Sequence, residues 1–345
     1  MNLTEAIQTY LPQIEAEMQA LLTQPLGEER SSAATYGPFY GMAHYHLGWV
    51  DETFQPTQAD GGKRIRPLLC LLTCQAAGGD PQRALPAAAA IEVLHNFSLI
   101  HDDIEDNDRL RRGRPTVWAL WGIAQAINVG DLLFALAHLA LGRLEERGVP
   151  SDRVLQALRR FDETCIALTQ GQYLDLDFEA RAEVSVEDYL TMIAGKTAAL
   201  LSTSAYLGAL LAGATTATCR AYEAFGRHLG MAFQIEDDIL GIWGEAETTG
   251  KAASDIAHRK KTLPIVYGLS RSPALRALYE DGEMTPQQEA QARALLEEVG
   301  ARNYAAEMAR QHHAQAMAAL ERANPIGPAA QALWELAGRL LGRVR

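Results

Sequence analysis

The sequence predicts an all-α protein folded as one domain over residues 1–345. Nearly every segment carries apolar residues at helical spacing, and alternating runs of β-branched residues are absent. Glycine and proline punctuate the chain at regular intervals, as short connections between helices require. No long linker, internal repeat or low-complexity tract marks a second domain.

The N-terminal stretch sets Glu5 and Glu15 among apolar residues, an amphipathic helix pattern and not a signal peptide. Gly61-Gly62 lead to Pro67, a good first-turn residue, and the apolar run from Leu68 stops at Gly78-Gly79. Asp80-Pro81 opens the next helix, which is expected to restart or kink at Pro86 and to run towards Asp106. Further helical patterns cover about 124–146, 151–177, 186–212, 217–243 and 286–322. Loops are read at Gly113-Arg114-Pro115, Gly148-Val149-Pro150, Gly244 to Gly250 and Asn324 to Pro328.

A net charge of −12 excludes a generic polyanion-binding surface, so no nucleic-acid partner is expected. An anionic ligand must then be held by a local basic cluster or through cations. Cys70, Cys74, Cys165 and Cys219 lie mostly in apolar runs without CxxC spacing, which reads as buried free thiols in a reducing cytoplasm. The stretch from Thr197 to Cys219 lacks charge and is long enough to span a bilayer. Its serines, threonines and glycines favour a buried central helix over a membrane span.

Two acidic runs stand where carboxylates are costly. His101-Asp102-Asp103-Ile104-Glu105-Asp106-Asn107-Asp108 packs five carboxylates into seven residues at the end of a helix. They repel one another and oppose the helix dipole. Asp102 and Asp106 share one face with Asp103 beside them, and His95 lies on the same stripe two turns earlier. Interleaved Phe97, Leu99, Ile100 and Ile104 argue against a merely solvated helix end. In the second run, Gln234, Asp237, Asp238 and Gly241 form a polar stripe on an otherwise apolar helix. Buried charge of that kind needs pairing or metal. Two such stripes suit a hard divalent cation such as Mg²⁺, which takes few carboxylates together with water and phosphate oxygens. A Glu92-to-His95 ExxH spacing matches half of a di-iron bundle site, but the sequence contains no second ExxH.

Cations flank these runs. Gly61-Gly62-Lys63-Arg64-Ile65-Arg66-Pro67 is a glycine-rich turn entering a helix, where backbone N–H groups, Lys63 and Arg66 can hold a diphosphate. Arg109, Arg111, Arg112 and Arg114 follow the first acidic run; local neutralisation of that run is the plainer role for Arg109 and Arg114. Lys251, Arg259, Lys260 and Lys261 follow the second, with Asp255 among them, and Lys196-Thr197 opens the uncharged helix.

With these motifs in order the chain resembles the trans-type polyprenyl diphosphate synthases. The matching pieces are GGKRIRP at 61–67, HNFSLIHDDIED at 95–106, RRGRPT at 111–116, GQYLDL at 171–176, KT at 196–197, FQIEDD at 233–238 and TGKAASDIAHRKKTLP at 249–264. The resemblance implies one helical bundle around a central active-site cavity, several Mg²⁺ ions and a homodimer. It implies metal ligation by Asp102, Asp103, Asp106, Asp237 and Asp238. Lys196, Thr197, Gln234, Arg111, Lys251 and Lys260 match positions that hold the allylic diphosphate or its developing cation. Lys63, Arg66, His95 and Arg112 match the isopentenyl diphosphate site. The implied chemistry is metal-assisted loss of diphosphate, attack of the isopentenyl double bond on the allylic cation, and proton loss. Two positions depart from the pattern: Gly241 replaces the last aspartate of the usual second DDxxD, and Trp118 stands where histidine is common.

Product length is read from Phe97, about 7.5 Å along the axis before Asp102 at 1.5 Å per residue. An aromatic there, Ser98 after it and no insertion in DDIED resemble the synthases that stop at C20, geranylgeranyl diphosphate. Farnesyl diphosphate is the second candidate product. Two different activities are also compatible with the fold: a terpene synthase-like enzyme that ionises without condensing, and an inactive regulatory subunit. GGKRIRP with His95 disfavours the former, and intact DDIED with Lys196-Thr197 disfavours the latter.

Overall fold

The computed structural model describes residues 1–23, 32–244, 255–280 and 284–340. Its helices are α1 (Leu3–Thr23), α2 (Ser32–His46), α3 (Ile65–Ala76), α4 (Pro81–Glu105), α5 (Val117–Trp121), α6 (Ile123–Gly142), α7 (Ser151–Ala180), α8 (Val186–Ile193), α9 (Ala199–Ala212) and α10 (Thr216–Trp243). After these come α11 (Leu263–Arg271), α12 (Pro273–Glu280), α13 (Pro286–Glu298), α14 (Ala301–Ala323) and α15 (Gly327–Leu340). The all-α class read from the sequence is the class observed. Among the described residues the sheet content is one two-stranded hairpin, β1 (Leu110–Arg111) with β2 (Arg114–Pro115). The chain divides into two compact units.

The first unit comprises Met1–Arg159, Leu207–Ala214 and Ile326–Ala329. Its centre is α4, which packs against α1, α3 and α6. Asp80 caps α4 by accepting from the Gln82 N–H, and Pro81 occupies the first turn. The helix then runs unbroken through Pro86, where only one early backbone bond is lost. Ala84 and Ala87 to Ala90 are fully buried, and their small side chains let neighbouring helices close on every side of α4.

The second unit comprises Arg160–Tyr206, Thr215–Pro325 and Ala330–Arg345. Here α10 packs extensively along α14. Thr215 caps α10 by accepting from the Thr218 N–H. The apolar face of α10 buries Met231, Ile235 and Ile239 against Phe178, Tyr189 and Met192.

Several boundaries differ from the sequence reading. The pattern over 186–212 is interrupted by a π-helical turn, Ala194–Ala198. The pattern over 286–322 breaks at Gly300, which turns the chain at φ 74°. The uncharged stretch from Thr197 ends α9 at a left-handed Gly213, and Leu200, Leu201, Ala205 and Ala209 within it are buried. A different helix, Ile123–Arg147, is long and apolar enough to cross a membrane by length and composition, with 39% of its most apolar window buried. Lys251 and the 245–250 part of the expected loop lie outside the described residues.

Candidate active site

In the first unit the glycine-rich turn is held by Arg64. This residue adopts φ 48° at the start of α3 and is only 3% exposed. Its guanidinium donates to Glu15 of α1 at 2.7 Å and to Glu92 of α4 at 2.8 Å. Lys63 on one side is exposed, while Arg66 on the other reaches His95 Nε2 at 3.2 Å. Glu92 and His95 thus serve different cations, which removes the ExxH reading at this helix.

The run after α4 folds into the β1–β2 hairpin because Arg112 and Gly113 both take positive φ, 52° and 75°. The turn carries the Arg112 guanidinium back over Gly62, where a Cβ would come within 2.5 Å of Nη2. Burial first, and then Arg66, Arg112, Arg111 and Arg64, hold the His95 imidazole well below the usual pKa, hence neutral. His46 is half-buried beside the same cluster and pushed down to about 3, by desolvation first and then by Arg111, Arg112 and Arg64. The charge of Arg64 is offset by Glu15 and Glu92, and that of Arg111 by Asp103. Such a cluster of guanidiniums around uncharged imidazoles is built for an anion.

The acidic end of α4 is closed without its side chains. Asn107 takes φ 55°, its N–H donates to Ile104 O at 3.2 Å, and the Asp108 N–H donates to Asp103 O at 2.9 Å. This is a Schellman cap. Trp118 adds its indole N–H to the carbonyls of Asp103 and Asp108, both at 2.8 Å, which explains an indole at this position. The two arginines read as neutralising the run do other work. Arg109 lies 5.3 Å above the Trp118 ring, and Arg114 donates to the carbonyls of Tyr45 and Val50 while stacking on the Tyr45 ring at 4.0 Å.

The three aspartates of α4 separate by environment. Asp106 is exposed and Asp102 half-buried, on one helix face. Asp103 is buried and accepts from Arg111 Nε at 2.6 Å, tying the hairpin to the helix. Burial, against the pull of Arg111, pushes its carboxyl up to about 6. Its second oxygen is buried and has no hydrogen-bond partner among the described residues. Hard oxygen donors and an orphaned buried acceptor fit a divalent cation. Among the described residues no three such groups converge as a closed cage, in keeping with an ion that keeps water and phosphate in its shell. Phe97 is half-buried, its ring 4.7 Å from His101 and 5.1 Å from Phe134 of α6, and the Ser98 hydroxyl donates back to His95 O.

In the second unit a polar chain crosses α8, the π turn and α10. Thr197 donates to Gln234 Oε1 at 2.7 Å, and Gln234 Nε2 donates to Asp238 at 3.1 Å. Asp238 also accepts from the Tyr189 hydroxyl and from the Leu263 N–H at 3.0 Å. The carboxylate of Asp238 is therefore engaged inside the protein, while Asp237 beside it is half-buried. Lys196 pairs with Asp175 of α7 at 2.5 Å. The π turn meets α7 backbone to backbone at Gly171, where a Cβ would stand 2.2 Å from Lys196 N. Lys260 is exposed, in a turn that Asp255 opens. The sequence reading missed two anchors, Arg64 and Asp255. Three cations within four residues, and one aspartate alone among lysines, were the available signals.

Burial raises the Asp238 carboxyl to about 7, well above its ordinary 3.8. A raised carboxyl binds its proton more tightly in the folded state. Its stabilisation is therefore full below about pH 4 and is lost as pH rises through 7. Urea unfolding in chelator at pH 5 and pH 8 should show a larger loss for wild type than for Asp238→Asn. Equal losses in the two proteins would contradict this environment.

The polyprenyl synthetase family model matches residues 48–299. The chain belongs to the polyprenyl synthetase family. A (2E,6E)-farnesyl diphosphate synthase of Mycobacterium tuberculosis is 49% identical over 227 residues, 66% of this chain and 62% of that protein. This match therefore spans less than two thirds of that relative's length. A geranylgeranyl diphosphate synthase of the same species is 44% identical over 289 residues, 82% of this chain and 81% of that protein. A solved polyprenyl synthetase from Streptomyces coelicolor superposes with a TM-score of 0.87 at 36% identity, covering 99% of this chain and all of that one. The carboxylate runs and the glycine-rich basic turn of this polyprenyl synthetase all lie inside the matched region.

Proposed function

We propose that this chain is a short-chain trans-prenyltransferase that joins isopentenyl diphosphate to an allylic diphosphate, its two units working as one domain. The reading rests on the guanidinium cluster around neutral His95 in the first unit, a site for an anion that uses no carboxylate. Ionisation alone needs one diphosphate site served by metal; condensation needs a second that holds its anion through cations. Lys63, Arg66, His95 and Arg112 are assigned to isopentenyl diphosphate, and Arg111, Lys196, Thr197, Gln234, Lys251 and Lys260 to the allylic partner.

Magnesium ions, if held by Asp102, Asp103 and Asp106 in the first unit and by Asp237 and Asp238 in the second, would neutralise the departing diphosphate. Asp103 fixes Arg111, and Asp238 fixes the Gln234 amide, whose oxygen already accepts from Thr197. An acceptor dipole and a hydroxyl oxygen held in this way stabilise developing positive charge without supplying a nucleophile strong enough to trap it. A neutral His95 accepts from Arg66 and keeps that guanidinium turned to its ligand. A homodimer in the cytoplasm is the proposed form of the enzyme. Exposed Ile123, Ile127 and Leu139 on α6 support the first point, and four buried, unbridged cysteines support the second.

Lys63→Ala and Arg66→Ala test the reading. Each should raise the KM for isopentenyl diphosphate tenfold or more and leave that for the allylic substrate within about twofold, since a charged contact is worth about 1.5–3 kcal/mol. Equal effects on both substrates, or consumption of allylic diphosphate by wild type without isopentenyl diphosphate, would turn the assignment to a terpene synthase.

Geranylgeranyl diphosphate is the proposed product, with farnesyl diphosphate the second reading because the 49% match is to a farnesyl diphosphate synthase. The Phe97 ring, packed with Phe134, is the proposed stop for the growing chain. Phe97→Ala should lengthen the products by at least one five-carbon unit, sized by chromatography. An unchanged distribution in the folded variant would assign the stop to another side chain.

A further inference from the structure

Residues 48–60 join α2 to the glycine-rich turn and lie outside every motif that carries the family resemblance. The segment folds back on itself. Gly48, at φ 84°, accepts from the Ala59 N–H at 3.0 Å, the Thr57 N–H donates to Trp49 O at 2.9 Å, and Val50 bridges Pro56. Asp51 closes the tip, its carboxylate accepting from the Thr53 and Gln55 N–H groups, both at 2.9 Å.

Two clasps pin this loop to the rest of the first unit. At its tip Phe54 takes φ 63°, a conformation that a bulky side chain keeps only when its surroundings hold it there. Its ring stacks on Trp121 of α5, with centroids 5.6 Å apart and planes at 16°. The same ring lies so close over Gly41 of α2 that a Cβ there would stand 2.7 Å from Phe54 Cδ1. At the base of the loop, Arg114 of the hairpin donates to Tyr45 O at 3.1 Å and to Val50 O at 2.8 Å. Its guanidinium stacks 4.0 Å above the Tyr45 ring, and the Tyr45 hydroxyl donates back to Pro115 O at 2.8 Å.

The loop ends at Asp60, beside the two glycines. The Asp60 carboxylate accepts from the Gly62 N–H at 2.8 Å, and its carbonyl accepts from Arg112 Nη1 at 3.5 Å. The Arg112 guanidinium is thus placed by the hairpin that carries it and by the loop end that it meets. Arg114, two residues further along the hairpin, binds the one to the other.

We infer that the 48–60 loop is a positioning element of the isopentenyl diphosphate site, with Phe54 and Arg114 holding it so that Asp60 and Gly62 meet Arg112. The inference rests on the proposed prenyltransferase reading and deepens it. Neither Phe54 nor Arg114 is assigned a ligand contact. Arg114 commits donors to two carbonyls and its flat face to an aromatic ring, and acts through Arg112. A loop that merely packed would lower stability when altered and leave the substrate constants alone.

The test compares full-length wild type with Phe54→Ala, Arg114→Ala, Arg112→Ala and the double variant Arg112→Ala/Arg114→Ala. Steady-state kinetics are paired with calorimetric titration of inorganic diphosphate in chelator, which silences any site that needs metal. Arg112→Ala should raise the KM for isopentenyl diphosphate about tenfold, the worth of one charge-assisted contact. Residues acting through Arg112 cannot cost more than that contact. Arg114→Ala should therefore raise this KM about fivefold, Phe54→Ala about threefold, and the double variant no further than Arg112→Ala. The allylic KM and kcat should stay within about twofold, and diphosphate affinity should fall in the same order. A double variant showing the product of the two single effects would overturn the inference. So would wild-type KM and diphosphate affinity in both Phe54→Ala and Arg114→Ala, which would leave the prenyltransferase reading intact. Phe54→Ala alters a half-buried ring at a loop tip, so the result does not depend on Arg114→Ala folding. A wild type that binds diphosphate with these losses but condenses nothing would refute the reading and keep the role of the loop. A wild type that neither binds diphosphate nor condenses would end both.

Discussion

Asp102→Ala and Asp106→Ala are each expected to lower turnover on the order of 10²–10³-fold, the scale seen when one electrostatic stabiliser of a transition state is removed. Neither change should unfold the protein. Asp106 is exposed and Asp102 half-buried, and the end of α4 is closed by backbone bonds at Asn107 and Asp108 and by the Trp118 indole. In metal-free buffer the sign for stability should even reverse. Five carboxylates in seven residues repel one another and face the negative end of the helix dipole, so losing one at 106 removes an unfavourable charge. Thermal melts in chelator should place Asp106→Ala at or slightly above wild type, while addition of Mg²⁺ with inorganic diphosphate should stabilise wild type more than the variant. Undiminished turnover in either variant, or in wild type with chelator, would remove metal from the mechanism. A clear drop in metal-free stability would show instead that these carboxylates hold the fold.

Much of this arrangement is legible in the sequence because it violates packing rules. Carboxylates interleaved with Ile100 and Ile104, or with Ile235 and Ile239, cannot be an ordinary surface, and the helical spacing of 102, 106, 234, 237 and 238 assigns each to a stripe. Asp80-Pro81 likewise announces a helix start that the structure realises. Division of labour inside a pair of adjacent aspartates is not legible. Consecutive residues on a helix point about 100° apart, so one of Asp102 and Asp103 must turn towards the hairpin; only the fold shows that Asp103 meets Arg111. The same holds for Asp238, whose partners Tyr189 and Leu263 are remote in sequence. Helix α2 escaped notice because Gly37, Pro38 and Gly41 interrupt any apolar period in SAATYGPFYGMAHYH. The π turn at 194–198 is a backbone event, signalled only by Gly171 and Gly195, whose missing side chains let α7 and the turn touch.

Arg64→Met is expected to produce the largest loss of stability among single changes at the glycine-rich turn, about 3–5 kcal/mol. Burying an ion pair brings modest net gain, but removing one partner strands the other. Glu92 is 3% exposed, and its Oε1 accepts from Arg64 Nη1 at 2.8 Å, while the Asn96 amide contributes only a longer bond at 3.1 Å. Without the guanidinium, Glu92 must ionise in an apolar helix centre or take up a proton, and Glu15 loses its contact at 2.7 Å. The loss should therefore shrink at low pH, where a stranded Glu92 is protonated. Lys63→Met, one residue earlier and exposed, should leave stability unchanged while weakening isopentenyl diphosphate binding. The double variant Arg64→Met/Glu92→Leu should recover much of what Arg64→Met loses, because the uncompensated charge is gone. Urea unfolding of the four proteins separates these outcomes. If Arg64→Met lost no more stability than Lys63→Met, or if Glu92→Leu failed to restore it, the turn would owe its position to its backbone and not to this buried ion pair.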